Sequence, residues 1–408
     1  MSAGSRGIII SHPTGNAFVR EAASGLADAG VLQEFHTTLA FFGSKWPGEL
    51  RRRVYPENLK SFTRQHPLRE AARLVAQRLG LRNLDRHERG WASVDKVYRS
   101  LDRAVAKSLD PKKTSAVYCY EDGALETFRA AEQLGIRRIY DLPIGYWRAA
   151  RRLLSEEAER RPDWASTIGG LGDSVEKLER KDEELRLAEH IIVASSFTAR
   201  TLRECPLRLA PVSVVPYGAD EPGEERSRVR RDEPLRVLFV GSLSQRKGIA
   251  EVFEAVDSMG CHAALTVIGR KTGGDCKPLD EALSRCRWIP SLPRERILEE
   301  MRGHDVLVFP SLFEGFGLVV TEALSQGLPV ITTNRTCGPD VLNEGIEGFL
   351  VSTSNPQAIA EKLELLALDR RLLADMGSAA QAKAQTLYWA DYRRRIAEIA
   401  GEFSRASI

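Results

Sequence analysis

The chain has 408 residues, 43% of them hydrophobic and 28% charged, with a formal net charge of +3. It is long enough for two or three cores, too nearly neutral to bind nucleic acid through bulk charge, and carries no apolar run near the ~18 residues that span a bilayer. Ile8-Ile9-Ile10 is too short for a secretion signal, and Cys119, Cys205, Cys261, Cys276, Cys286 and Cys337 form no Cys-x-x-Cys pair, which argues against a disulfide framework or zinc site and for a reducing cytoplasm.

In chain order, residues 7–11 are a predicted strand and 17–29 a helix. The stretch from about 45 to 110 is charged and helical and is expected to be an insertion. Strands follow at 116–120, 136–140, 191–194 and 212–215. Residues 216–234, rich in charge, Pro and Gly, form the expected linker. The second half alternates strand and helix: strands at 237–240, 263–268, 288–289, 306–309 and 330–332, helices at 248–256, 295–301 and 318–325. Short apolar runs alternating with helical periodicity imply parallel sheets covered on both faces, so the expected class is α/β with two doubly wound, Rossmann-like domains at 1–215 and 235–387. A charged amphipathic helix, 388–408, lies outside the second alternation.

The chemistry concentrates in Phe309-Pro310-Ser311-Leu312-Phe313-Glu314-Gly315-Phe316-Gly317-Leu318, followed by Glu322. A strand ends, a loop holds two glycines, and a helix begins near Gly317, where free amides favour an anion. Glu314 and Glu322 are acceptor-only groups able to grip paired hydroxyls. Their placement on either side of a phosphate-binding helix start suits a nucleotide sugar. In Gly241-Ser242-Leu243-Ser244-Gln245-Arg246-Lys247-Gly248, two cations stand at another helix start, where they oppose its dipole unless a diphosphate meets them.

This pattern, Glu-x7-Glu with Gly327-Leu328-Pro329-Val330 and residues 345–351, resembles the family-4 retaining glycosyltransferases. The resemblance implies the GT-B fold, two Rossmann-like domains facing across a cleft with the final helix crossing back to the first. It implies that Glu314 contacts the donor sugar and Glu322 the ribose. Lys247 matches the family's diphosphate lysine. The arginine that follows the strand glycine is Ser242 here, and Arg246 is its expected substitute. Gly15 and Asn16 stand where the family has a glycine loop near the donor phosphate. Gly241, Gly315, Phe316, Gly317 and Leu318 line the expected donor site, and the base is expected against the backbone near Ile289 and Pro290. Where many members carry a His facing the transferred sugar, this chain has Asp141.

No Asp-x-Asp occurs in the chain, so no metal or other cofactor is expected beyond the nucleotide-diphosphate sugar, and Lys247, Arg246 and helix amides would carry the leaving diphosphate. The expected activity is metal-independent, retaining sugar transfer by same-face substitution to a glycan, lipid or small molecule. A phosphorylase of the same fold and a non-catalytic nucleotide-sugar binder are the alternatives. Between Lys45 and Arg82, ten cations face three acids. Leu68, Ala72, Val75 and Leu79 recur at helical spacing there. This face either packs on the first domain or meets an anionic surface, at the inner face of the membrane or on a phosphate-bearing acceptor.

Overall fold

The computed structural model describes residues 6–43, 53–223 and 233–405. The first sheet comprises β1 (Gly7–Ser11), β2 (Leu32–Thr37), β3 (Thr63–Gln65), β4 (Thr114–Tyr120), β5 (Arg137–Leu142), β6 (His190–Val193) and β7 (Val212–Val214). The second comprises β8 (Leu235–Val240), β9 (Ala263–Ile268), β10 (Arg287–Ile289), β11 (Val306–Phe309), β12 (Val330–Thr333) and β13 (Gly348–Val351). Their orders are β3-β2-β1-β4-β5-β6-β7 and β10-β9-β8-β11-β12-β13, with parallel pairing throughout. Each order reverses once, between β1 and β4 and between β8 and β11. A crevice opens at such a point above the carboxyl ends of the strands.

Both sheets bury their central strands on both faces: Ile8, Ile9 and Ile10 are fully buried, as are Val306, Leu307 and Val308. This is why those strands read as continuous apolar runs. Two strands did not read that way. β2 is Leu-Gln-Glu-Phe-His-Thr, and its buried His36 is satisfied by Glu34 at 2.9 Å and His66 at 3.0 Å. β3 lies inside the segment expected to be a helical insertion, and instead extends the first sheet as its edge.

The final helix, Trp389–Arg405, crosses back as expected of the GT-B fold. Arg393 pairs with Glu21 at 2.5 Å on the helix Ala17–Asp28, and a Cβ on Gly25 would lie 2.6 Å from the Arg393 carbonyl oxygen. A second crossing runs the other way. The helix Trp147–Arg160 continues into the short 3₁₀ segment Pro162–Thr167, whose Trp164 enters the core of the second sheet beside Phe253. Thr167 then fixes the loop after β8: its carbonyl accepts from Ser244 Oγ at 2.7 Å and its hydroxyl accepts from the Gln245 amide at 2.9 Å. Among the described residues, no helix is long and apolar enough to cross a membrane.

Candidate active site

The loops after β8 and β11 meet above the second switch point. Gly248 ends the first loop at φ 69°, and a Cβ there would lie 2.3 Å from the Pro310 carbonyl oxygen. Gly317 opens the helix Leu318–Ser325 at φ 89°. Both conformations favour glycine, and they press the Lys247 loop onto the end of β11. As a result Lys247 Nζ pairs with Glu314 Oε2 and stands 4.9 Å from the centre of the Phe309 ring. Arg246 donates to the Phe313 carbonyl at 2.7 Å and lies 3.6 Å from the same Glu314 oxygen. Burial pushes the Glu314 carboxyl up, but Lys247, Arg246 and the Gly315 amide outweigh it and hold the group below its ordinary range. Burial likewise lowers Lys247, against the pull of Glu314.

Glu322 lies on the helix that starts at Gly317. Its Oε1 accepts from Arg294 Nε at 3.1 Å and from the same guanidinium's NH2 at 3.0 Å, and Arg294 also meets Asp220 at 2.5 Å. Burial raises Glu322, and Arg294 opposes the rise. Arg294 escaped the sequence reading. It opens the helix Arg294–Gly303, one residue ahead of the expected start. A cation at a helix start was the signal that singled out Arg246 and Lys247, and it applies here too.

Gly315 is one of the points where the two halves touch. A Cβ on it would lie 1.8 Å from the Pro143 carbonyl oxygen, and its own carbonyl accepts from Ser195 Oγ at 2.5 Å and Thr198 Oγ1 at 3.0 Å. Ser195 therefore does more than cap the helix Ser196–Thr201, although it also does that by accepting from the Thr198 amide at 3.1 Å. Phe316 is buried against Tyr217, ring centres 4.9 Å apart.

Of the remaining donor-side residues, Gly241 and Ser242 follow β8, and Ser242 brings no charge, which leaves Arg246 as the second cation near Glu314. Ile289 ends the edge strand β10, its carbonyl accepting from the Gly269 amide at 3.0 Å, with Pro290 exposed beside it. Gly15 is buried after β1. Asn16 precedes the helix Ala17–Asp28, and its exposed side chain makes no capping bond.

Asp141, expected to face the transferred sugar, is buried in the structure. Successive residues of a strand point to opposite faces. Tyr140 packs on one side of β5, and Asp141 is buried on the other, accepting from Tyr118 Oη at 2.6 Å. Tyr120, Tyr217 and Tyr392 share that interior, and burial pushes Asp141 up to about 7. His12 is structural as well: it is buried, bonded to Thr14 at 2.9 Å, and lowered to about 4 by burial.

A cavity of about 360 Å³ opens between the halves, lined by Trp147, Leu154 and Lys181 on one side and Ser242, Arg246 and Phe313 on the other. Its edge is the loop of Gly169, Gly170 and Asp173. Arg246 thus borders both this cavity and Glu314.

The family model for glycosyl transferases group 1 matches residues 220–383, the part of the chain that holds Lys247, Glu314 and Glu322. A D-inositol 3-phosphate glycosyltransferase of Streptomyces griseus is 32% identical over 200 residues, covering 43% of this chain and 42% of that protein. A sucrose synthase of Acidithiobacillus caldus is 28% identical over 214 residues, covering 45% and 27%. The chain spans about half the length of the curated relatives it matches. Whole-chain likeness comes from solved structures. Sucrose-phosphate synthase of Thermosynechococcus elongatus has a TM-score of 0.67 at 16% identity, covering 98% of this chain and 100% of that one. HepE of Anabaena in complex with UDP-glucose has a TM-score of 0.64 at 16% identity, covering 97% and 99%.

Proposed function

We propose that the chain, whose residues 220–383 match the family model for glycosyl transferases group 1 and whose fold is GT-B, moves a sugar from a nucleotide-diphosphate donor to an acceptor held by the first domain. One observation carries this reading: Glu314 from the loop after β11 and Lys247 from the loop after β8 converge at the switch point, one turn from the helix start at Gly317. A diphosphate seated there meets the amides after Gly317 and the cations Lys247 and Arg246. Lys247 would turn from Glu314 to the phosphate, which frees Glu314 to accept from sugar hydroxyls. Glu322 would accept from the ribose, with Arg294 and Asp220 fixing its rotamer.

Charge builds on the departing diphosphate oxygen, and two preorganised cations at that oxygen stabilise it without metal. We therefore read the reaction as needing no cofactor. We read it as retaining, with Glu314 given to the sugar hydroxyls rather than to the acceptor and Asp141 buried and bonded to Tyr118. The acceptor hydroxyl then attacks from the face the diphosphate leaves, and its proton passes to a donor phosphate oxygen. The acceptor enters through the cavity bordered by Trp147 and Arg246. Closure of the halves through Gly315 keeps water from the donor. Six cysteines without a disulfide fit a reducing compartment. The test is product formation: incubation with a panel of nucleotide sugars should release a nucleoside diphosphate in the presence of EDTA. Phosphate-dependent turnover would instead mark a phosphorylase, and binding without turnover a sensor.

A further inference from the structure

The helix Leu68–Arg78 is amphipathic, but what it turns inward is Ala76 and a charge: Glu70 is 2% exposed, gripped by Arg53 and by Arg73 at 2.7 Å. Its apolar stripe is turned out, with Leu68 72%, Val75 55% and Leu79 65% exposed. The stripe does not pack on the first domain. Leu81, Leu84 and Trp91 are exposed further along the same segment, so that seven of the fourteen large hydrophobic side chains exposed among the described residues fall between Leu68 and Val94. Monomeric proteins rarely concentrate exposed apolar side chains in this way unless something covers them.

The charge beside the stripe identifies what covers it. Arg78, Arg82, Arg86 and Arg89 are exposed on the same segment and form no ion pair with any described residue. Arg53, in contrast, is spent on Glu70, while Lys45, Arg51 and Arg52 lie outside the described residues. Unpaired arginines around an apolar stripe match an anionic lipid surface, where acyl chains take the leucines and headgroup phosphates take the guanidiniums. The segment is also tied to the mouth of the cleft: Glu88 accepts from the Ser174 amide at 2.9 Å, and His87 meets Asp173 at 3.0 Å, the same Asp173 that edges the interdomain cavity.

We propose that residues 68–94 dock on an anionic membrane surface, with Leu68, Val75 and Leu79 entering the headgroup–acyl boundary and Arg78, Arg82, Arg86 and Arg89 meeting lipid phosphates. Docking in this way brings the membrane to the segment that His87 and Glu88 tie to Asp173 and Ser174 at the cavity. The docking itself does not depend on the transferase reading, and only its use in presenting an acceptor does.

Sedimentation of the full chain with vesicles tests it. Binding is expected with phosphatidylcholine mixed with phosphatidylglycerol, not with phosphatidylcholine alone, and it should weaken as salt rises. Leu68→Ser with Leu79→Ser, and Arg78→Gln with Arg82→Gln, should each lower partitioning by about tenfold or more. All four side chains are exposed, so melting temperatures should hold; if a variant melts early, the wild-type comparison between the two lipids decides. Failure to bind anionic vesicles at low salt overturns the proposal. So does binding that ignores the leucine substitutions, or a dimer in solution that the same substitutions dissolve, since a second copy would then own the face. None of these outcomes bears on nucleotide binding.

Discussion

The hydroxyl of Ser195, at the end of the first sheet, donates at 2.5 Å to the carbonyl of Gly315, in the sugar-side loop of the second. A side chain on Gly315 would meet the Pro143 carbonyl at 1.8 Å, a backbone atom that cannot swing away. Gly315→Ala should therefore hold the halves apart at a cost of about 1–3 kcal/mol. Turnover should fall at least about tenfold while each half stays folded. A kinetic assay beside small-angle scattering checks this; normal turnover with an unchanged radius of gyration would show that closure through Gly315 is irrelevant.

Glu322→Gln should weaken donor binding by about 1–3 kcal/mol, because an amide offers one uncharged acceptor oxygen where the carboxylate offers two charged ones, and Arg294 loses one of its two anionic partners. Nucleoside monophosphate and diphosphate should be weakened alike, since both carry the ribose. Calorimetry that gives equal affinities for mutant and wild type would remove Glu322 from the ribose site.

Asp141 now has a different expected role. Burial disfavours the Asp141 charge and the Tyr118 bond only partly offsets that, which pushes the group up to about 7, above the ordinary aspartate range. The native state then holds more protons than the unfolded state between about pH 4 and pH 7. Asp141 should therefore cost stability progressively as pH rises through that window, with the loss complete above it. Asp141→Asn should remove this slope while sparing turnover. The measurement is the difference in melting temperature between wild type and variant across pH. A constant difference, or turnover lost with the fold intact, would return Asp141 to the cleft.

How much was legible in the sequence follows from what each residue packs against. β8, β9, β11 and β12 are apolar runs bounded by turns, and the motif around Glu314 places a strand, a loop and a helix by itself. β2 was hidden because its polar His36 is satisfied by Glu34 two residues back and by His66 beyond β3, and the second of these is a contact that no local pattern reports. The helix Leu68–Arg78 shows the complementary limit. Its period marked two faces, but the inward one was chosen by Glu70 with Arg53 and Arg73. Arg294 and Thr167 belong to the site through partners far along the chain.

Lys247→Ala tests the central claim, that a nucleoside diphosphate sits between Lys247 and the helix start at Gly317. Binding of UDP, GDP and ADP, each followed with EDTA present by thermal shift and calorimetry, should single out at least one nucleotide that stabilises the wild type, by about 2.7 kcal/mol at a hundredfold excess over Kd. In Lys247→Ala that affinity should fall by about 1.5–3 kcal/mol, the worth of a hydrogen bond to a charged group, while the nucleoside alone binds as before. If no nucleoside diphosphate stabilises the wild type, or if the variant binds it undiminished, the diphosphate site is not where Lys247 and Glu314 meet.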